Sequence, residues 1–139
     1  IILVKRKERN YMNVEVYWNE DKTKYAVLCS QGHGAGWSTW NQRELAYDAR
    51  VVKFYLAHKD DEEWMRTVEY SEFTTNGESA AHKEAKEFFA SIGYKDCPYM
   101  GGFADICLEW VPCGVIWRMD EYDGAESIVY QAEQDWVCF

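Results

Sequence analysis

A chain of 139 residues has the length of one ordinary domain and can bury a hydrophobic core without disulfides or a metal. Hydrophobic residues make up 47% of the chain and charged residues 28%, a composition that excludes intrinsic disorder. The net charge of −9 disfavours direct binding to the phosphate backbone of a nucleic acid.

Charge is distributed unevenly along the chain. Residues 1–11 carry a net charge of +3, from four basic residues and one acidic residue, so residues 12–139 carry −12. The basic residues follow an apolar run instead of preceding it, which is the wrong order for a signal peptide. We therefore expect residues 1–11 to be a non-native or flexible extension, with Met12 as the natural start, and residues 12–139 to form one α+β domain.

The cysteines are odd in number and irregularly spaced: Cys29, Cys97, Cys107, Cys113 and Cys138. No two of them form a CxxC pair and the three histidines are widely separated, so neither a disulfide framework nor a metal site is predicted. Thiols stay reduced in the cytoplasm, and no apolar run approaches the ~20 residues that span a bilayer. We therefore expect a cytoplasmic protein without a cofactor.

The N-terminal part of the chain is typical of strands. Residues 13–18 alternate apolar and polar side chains, which predicts a half-buried strand. Residues 24–30 form a largely apolar run, and we expect this second strand to pair with the first. A glycine-rich loop follows, with the sequence Gly32-His33-Gly34-Ala35-Gly36.

The middle of the chain predicts three helices. Asp48 is a suitable N-cap for a helix over residues 49–58, and residues 62–70 form a second, shorter helical segment. Residues 79–91 place small and aromatic side chains on one helical face, and Gly93 is the residue type that commonly ends a helix.

The last part predicts strands over residues 105–111, 115–122 and 126–130, with a short closing strand over residues 136–139. Asp123–Gly124 is a strong signal for a tight turn between two strands. The order ββ-ααα-βββ predicts an α+β fold, in which helices pack on one face of a mainly antiparallel sheet.

The glycine-rich loop and the residues after it are the strongest candidate for a ligand-binding element. Glycines allow backbone N–H groups to converge on a phosphate or carboxylate, and tryptophan rings offer a flat face to a base. A second glycine-containing loop, residues 97–103, adds one aromatic ring. The candidate ligand-binding residues are Gly34, Gly36, Trp37, Ser38, Thr39, Trp40, Arg43, Arg50 and Tyr99.

The spacing of these glycines is that of neither a Walker loop nor a dinucleotide-binding loop. The alternative is a structural connection whose tryptophans pack in the core. Two acidic clusters, residues 60–63 and 120–123, are open to a similar choice between a solvated surface and a docking face for a basic partner.

Catalysis has one candidate pair, Cys29 and His33, which are four residues apart. A cysteine nucleophile needs a base within hydrogen-bond distance. Because we predict that Cys29 lies on a buried strand, where a thiol is inert, we expect a protein without catalytic residues.

Three segments carry a resemblance to a known group of proteins: residues 34–41, residues 46–52 and residues 121–127. In these segments the chain resembles small uncharacterised accessory proteins of bacteriophages and prophages. The resemblance implies a setting, the cytoplasm of a bacterial host, and it implies binding in place of catalysis, because many such proteins block host defence. It assigns no catalytic residue.

The leading hypothesis from these observations is a phage-type anti-defence protein that sequesters a small nucleotide-like ligand without turning it over. One alternative is an acidic inhibitor that mimics nucleic acid and occludes a host defence protein. A second alternative is an enzyme that uses Cys29 and His33. The large number of aromatic residues also leaves a homo-oligomer open.

Overall fold

The computed structural model describes residues 14–70 and 79–131. The expected extension over residues 1–11 and the closing strand over residues 136–139 lie outside these ranges. The described residues form an α+β fold, which confirms the predicted class. Its elements in chain order are β1 (Lys24–Ser30), α1 (Ala49–His58), α2 (Glu62–Tyr70), α3 (Ala80–Ser91), β2 (Ile106–Pro112), β3 (Trp117–Tyr122) and β4 (Ala125–Tyr130).

β1 is buried on both of its faces. Residues 25–30 are all buried, and strand geometry directs alternate side chains to opposite sides. Ala26 and Leu28 belong to a core that they share with the three helices. Val27 and Cys29 belong to a second core, against which side chains of β3 and β4 pack. β1 therefore separates the helices on one side from the β3–β4 hairpin on the other.

The strands form two antiparallel pairs, where the sequence led us to expect one sheet. β1 pairs with β2 along its whole length, and β3 pairs with β4. The turn between β3 and β4 consists of Asp123 and Gly124, with φ angles of 51° and 89°. Two successive positive φ angles are typical of the tight turn that joins hairpin strands. The predicted Asp-Gly turn is therefore confirmed.

The structure corrects the first predicted strand, over residues 13–18. In the described residues 14–18 there is a single isolated β-bridge, which pairs Trp18 with Tyr25, and no extended strand. The apolar side chains Val14, Val16 and Trp18 nevertheless pack against the second core. Their alternation reflects burial against that core, while the ladder partner of β1 is β2, which is distant in sequence.

The predicted helix starts are confirmed by capping contacts. The side chains of Asp48, Asp61 and Ser79 each accept a backbone N–H of the first turn of α1, α2 and α3, at 2.9–3.1 Å. α3 ends before Gly93, which has a φ angle of 98°. Of the helices in the described ranges, none is long and apolar enough to cross a membrane.

Asp48 also connects the start of α1 to the segment after α3. Its carboxylate is buried and accepts hydrogen bonds from the Tyr94 hydroxyl at 3.0 Å and from the Arg50 guanidinium at 2.7 Å. Burial and the adjacent Asp48 carboxylate raise the pKa of Tyr94, so this phenol remains a donor. A buried carboxylate is tolerated only when donors of this kind replace its hydration.

We expect Asp48→Ala to lower the free energy of unfolding by about 2–4 kcal/mol, because it removes a helix cap and leaves the buried Tyr94 hydroxyl unpaired. Urea denaturation followed by far-ultraviolet circular dichroism measures the change. Asp60→Ala is the matched control, since Asp60 is exposed and contacts Lys59 at the surface. Equal effects of the two substitutions would show that Asp48 has no special structural role.

Candidate functional site

The glycine-rich loop surrounds a carboxylate of the chain itself. Glu126, on β4, is 3% exposed and accepts four hydrogen bonds. Its Oε1 accepts the backbone N–H of Ser30 at 2.9 Å. Its Oε2 accepts the backbone N–H groups of Trp37 at 2.7 Å and Thr39 at 3.0 Å, and the Thr39 hydroxyl at 2.5 Å.

This arrangement explains why the sequence of the loop resembles that of an anion-binding loop. Converging backbone N–H groups form a site for an anion, as the glycine-rich pattern predicted. The anion that occupies the site is the Glu126 carboxylate, so these donors serve the fold. An external phosphate would have to displace a buried, charge-assisted set of hydrogen bonds.

The loop is also held by close backbone packing. A Cβ atom on Gly36 would lie 2.9 Å from the Thr39 hydroxyl oxygen and 3.1 Å from Glu126 Oε2. A Cβ atom on Gly102 would lie 2.5 Å from the carbonyl oxygen of Gly36, and one on Gly124 would clash with the backbone of Ala35. The loop is therefore packed between the second glycine-containing loop and the hairpin turn, where only glycine fits.

Trp37 and Ser38 lie inside this packing, which corrects the prediction that they face a ligand. Trp37 is 0% exposed, and its indole N–H donates to the Leu45 carbonyl at 3.0 Å. Its ring packs against that of Phe103, with the ring centroids 5.0 Å apart. Ser38 is buried. The structural alternative is the right one for Trp37, because the bonds to Glu126 draw this stretch of backbone inward.

The two arginines predicted as ligand-binding residues differ in their surroundings. Arg50 is positioned by Asp48, which accepts from its Nε at 3.0 Å and from its second terminal nitrogen at 2.7 Å. Its other terminal nitrogen donates to the Ile92 carbonyl at 3.3 Å. This guanidinium therefore serves the start of α1. Arg43 is exposed on a short 3-10 helix, Arg43–Ala46.

Two candidate residues do meet at the surface. The rings of Trp40 and Tyr99 stack with centroids 5.9 Å apart and planes 19° apart, and 42% of Trp40 is exposed. Asn41 joins their two loops, because its amide nitrogen donates to the Tyr99 carbonyl at 3.0 Å and its oxygen accepts the Tyr99 N–H at 2.8 Å. The structure thus brings both predicted loops together at one aromatic pair.

A carboxylate lies at the edge of this pair. The Oε2 atom of Glu121 accepts the Trp40 indole N–H at 3.0 Å and the Gly124 N–H at 2.8 Å. These two hydrogen bonds lower the pKa of Glu121. Its neighbours Tyr122 and Asp123 are exposed, Tyr122 by 79%. We call Trp40, Tyr99, Glu121, Tyr122 and Asp123 the aromatic–acidic surface.

Sequence reasoning missed Glu126 and Asn41 as site residues, and it considered Glu121 only as part of the acidic cluster over residues 120–123. The sequence predicts an ordinary strand that begins at Glu126, and in the structure this strand follows the Asp-Gly turn and packs against β1. A carboxylate at a buried position of an alternating strand needs a donor set. That requirement is the one signal in the sequence, and it indicates that Glu126 needs donors without identifying the loop as their source.

Cys29 has the environment that the sequence predicted. It is completely buried on β1, and its thiol contacts the Met119 sulfur at 3.7 Å. Burial, together with Glu109 and Glu126, raises the pKa of Cys29 to about 12. Such a thiol is not ionised at neutral pH, so the interpretation of Cys29 as an activated catalytic nucleophile has no support here.

No protein-family model, curated protein or solved structure matches this chain. Within residues 14–70 and 79–131, no three His, Cys, Asp or Glu side chains converge in a group that could hold a metal ion.

We expect Glu126→Gln to lower the free energy of unfolding by about 2–4 kcal/mol, because charge-assisted hydrogen bonds are lost and an amide NH₂ faces N–H donors. Urea denaturation is the measurement. Glu121→Gln makes the same chemical change at an exposed position and should lower the free energy of unfolding much less than Glu126→Gln. Comparable losses in both variants would contradict the structural role of Glu126.

Because the Glu121 pKa is lowered in the folded protein, its contacts stabilise the fold above the ordinary glutamate pKa of about 4.3 and are lost as pH falls through the folded value. We expect the Trp40 indole N–H resonance to titrate with a midpoint below that ordinary value. An NMR pH titration measures it. Glu121→Gln should abolish the titration, and a midpoint at or above about 4.3 would refute the contact.

Proposed function

We propose that this chain is a non-enzymatic binding protein that docks on a basic surface of another protein through its aromatic–acidic surface. The observation that carries the proposal is that one part of the predicted ligand loop is engaged within the fold and another part is exposed. Its backbone donors are engaged by Glu126, while Trp40 remains exposed beside Glu121.

Charge separates this function from nucleotide sequestration. Of the two arginines that the sequence predicts for a nucleotide site, Arg50 is paired with Asp48. Trp40 contacts the acidic Glu121, and the exposed Asp123 follows at the hairpin turn; these carboxylates repel a phosphate. The charge of −12 on residues 12–139 adds to this repulsion and attracts a basic protein.

The geometry of the surface suits an arginine side chain of the partner. A guanidinium stacks on aromatic rings and also pairs with a carboxylate, which a lysine ammonium does less well. Trp40 and Tyr99 supply the rings. Both hydrogen bonds that the described residues make to the Glu121 carboxylate fall on Oε2, which orients Oε1 as an acceptor for a guanidinium.

The resemblance to phage accessory proteins makes a host defence protein with a nucleic-acid groove the partner class that we propose to test first. Such a groove is rich in arginine and lysine because it binds phosphates. An acidic protein with exposed rings would occupy the groove as a mimic of nucleic acid.

The test uses fluorescence anisotropy of a labelled arginine-rich peptide as the probe, at low and at physiological salt. We expect Trp40→Ala to weaken binding about 10-fold or more, because an exposed tryptophan in contact with arginine is a typical energetic centre of an interface. Binding should weaken as salt is raised, since screening reduces the attraction of exposed charges. A lysine-rich peptide of equal charge should bind more weakly than the arginine-rich one.

Two substitutions that change the net charge equally separate site binding from bulk charge. Glu121→Gln removes the carboxylate beside Trp40, and Asp60→Asn removes an exposed carboxylate of the other acidic cluster. We expect a loss of affinity in the first variant only. Equal losses in both variants, or no loss in Trp40→Ala, would contradict the proposal. A signalling nucleotide that raises the Tm of the wild-type protein and is recovered intact would favour sequestration instead.

A further inference from the structure

Two cysteines face each other across the β1–β2 ladder. Cys29 on β1 is directly opposite Cys107 on β2. Directly opposite residues of antiparallel strands project their side chains from the same face of the sheet. Cys29 is buried and Cys107 is exposed, so the ladder places a shielded thiol beside an accessible one.

The hydrogen-bond pattern defines the spacing of this pair. Continuing the register, Gln31 N–H donates to the Asp105 carbonyl at 3.0 Å, at one end of the ladder. Hydrogen-bonded pairs alternate along antiparallel strands, so Cys29 and Cys107, two residues further in, are also such a pair. Their Cα atoms are then separated by about 5.5 Å, which is within the range of about 4.4–6.8 Å found for disulfides. Their Cβ atoms, at about 5.5 Å in such a pair, must approach each other by about 1 Å for the bond to form.

We propose that Cys29 and Cys107 form a reversible disulfide, and that the β1–β2 ladder is a thiol modification site on which hydrogen peroxide acts. Cys107 lies close enough to contribute to the raised pKa of Cys29. No other pair of described cysteines lies directly opposite in a ladder.

The reaction proceeds in two steps: Cys107 is oxidised first, and Cys29 then forms the disulfide with it. Cys107, which is exposed, reacts first: its thiolate attacks the peroxide O–O bond, gains one oxygen as a sulfenic acid and releases hydroxide. The Cys29 sulfur then attacks the Cys107 sulfur, the S–S bond forms, the S–O bond breaks, and water leaves with the Cys29 proton. Two electrons pass from the thiols to the peroxide.

Burial of Cys29 controls the second step. Its raised pKa keeps Cys29 protonated, so the sulfenic acid on Cys107 should persist long enough to be trapped by dimedone. Closing the bridge also turns the Cys29 sulfur away from Met119 on β3. Oxidation therefore changes a contact between the ladder and the hairpin.

The experiment treats the reduced full chain with hydrogen peroxide, blocks remaining thiols with N-ethylmaleimide and maps peptides without reduction. We expect a peptide that links Cys29 to Cys107, lighter by two hydrogen atoms than the sum of its parts and cleaved by dithiothreitol. Cys107→Ser should abolish the link, and Cys113→Ser, which replaces another exposed cysteine, should leave its yield unchanged.

Two further variants keep the test decisive. Cys29→Ala and Cys29→Ser alter a buried site, so circular dichroism first confirms that at least one of them is folded. In the folded variant, Cys107 should accumulate as the dimedone adduct or as sulfinic acid without an intramolecular link. Over-oxidation of Cys107 in the wild-type protein while Cys29 stays reduced, or a link from Cys107 to any cysteine other than Cys29, would overturn the proposal.

Discussion

The buried carboxylate of Glu126 is the constraint on which the rest of this structure depends. It joins the end of β1, through Ser30, to the glycine-rich loop, through Trp37 and Thr39, and it belongs to β4. Removing an ionised carboxylate from water costs several kcal/mol unless donors replace its hydration. The loop keeps its conformation because the hairpin supplies this anion, and the hairpin can bury the anion because the loop supplies the donors.

These hydrogen bonds also separate two tryptophans that look alike in the sequence. Trp37 follows the backbone inward and packs against Phe103, while Trp40 ends one short helical turn, stacks on Tyr99 and is 42% exposed. One ring therefore stabilises the core, and the other is available to a partner. Glu121 accepts the indole N–H of Trp40 and pairs with Glu126 across the β3–β4 hairpin. The acidic part of the surface and the buried carboxylate therefore belong to one hairpin.

Acidic residues have two distinct roles in a domain that carries so much negative charge. Asp48 and Glu126 are buried, and each is surrounded by donors, so they contribute to folding and present no charge to a partner. Glu121 and Asp123 are exposed at the hairpin turn, where their charge acts on approaching molecules. Net charge alone cannot separate these roles, because it counts a buried, hydrogen-bonded carboxylate and a solvated carboxylate equally.

The sequence by itself determined the elements that depend on local contacts: the three helices, the Asp48 cap of the first, the Asp-Gly turn, the buried strand of Cys29 and the α+β class. Its glycine-rich pattern also favoured backbone N–H groups that converge on an anion, beside the alternative of a structural connection. Only the tertiary structure decided that this group is Glu126, that β1 pairs with β2, and that Trp37 is buried while Trp40 is exposed. The physical reason is sequence separation: capping and turns join residues a few positions apart, whereas Glu126 lies 89 positions from Trp37, and only chain folding brings such groups together.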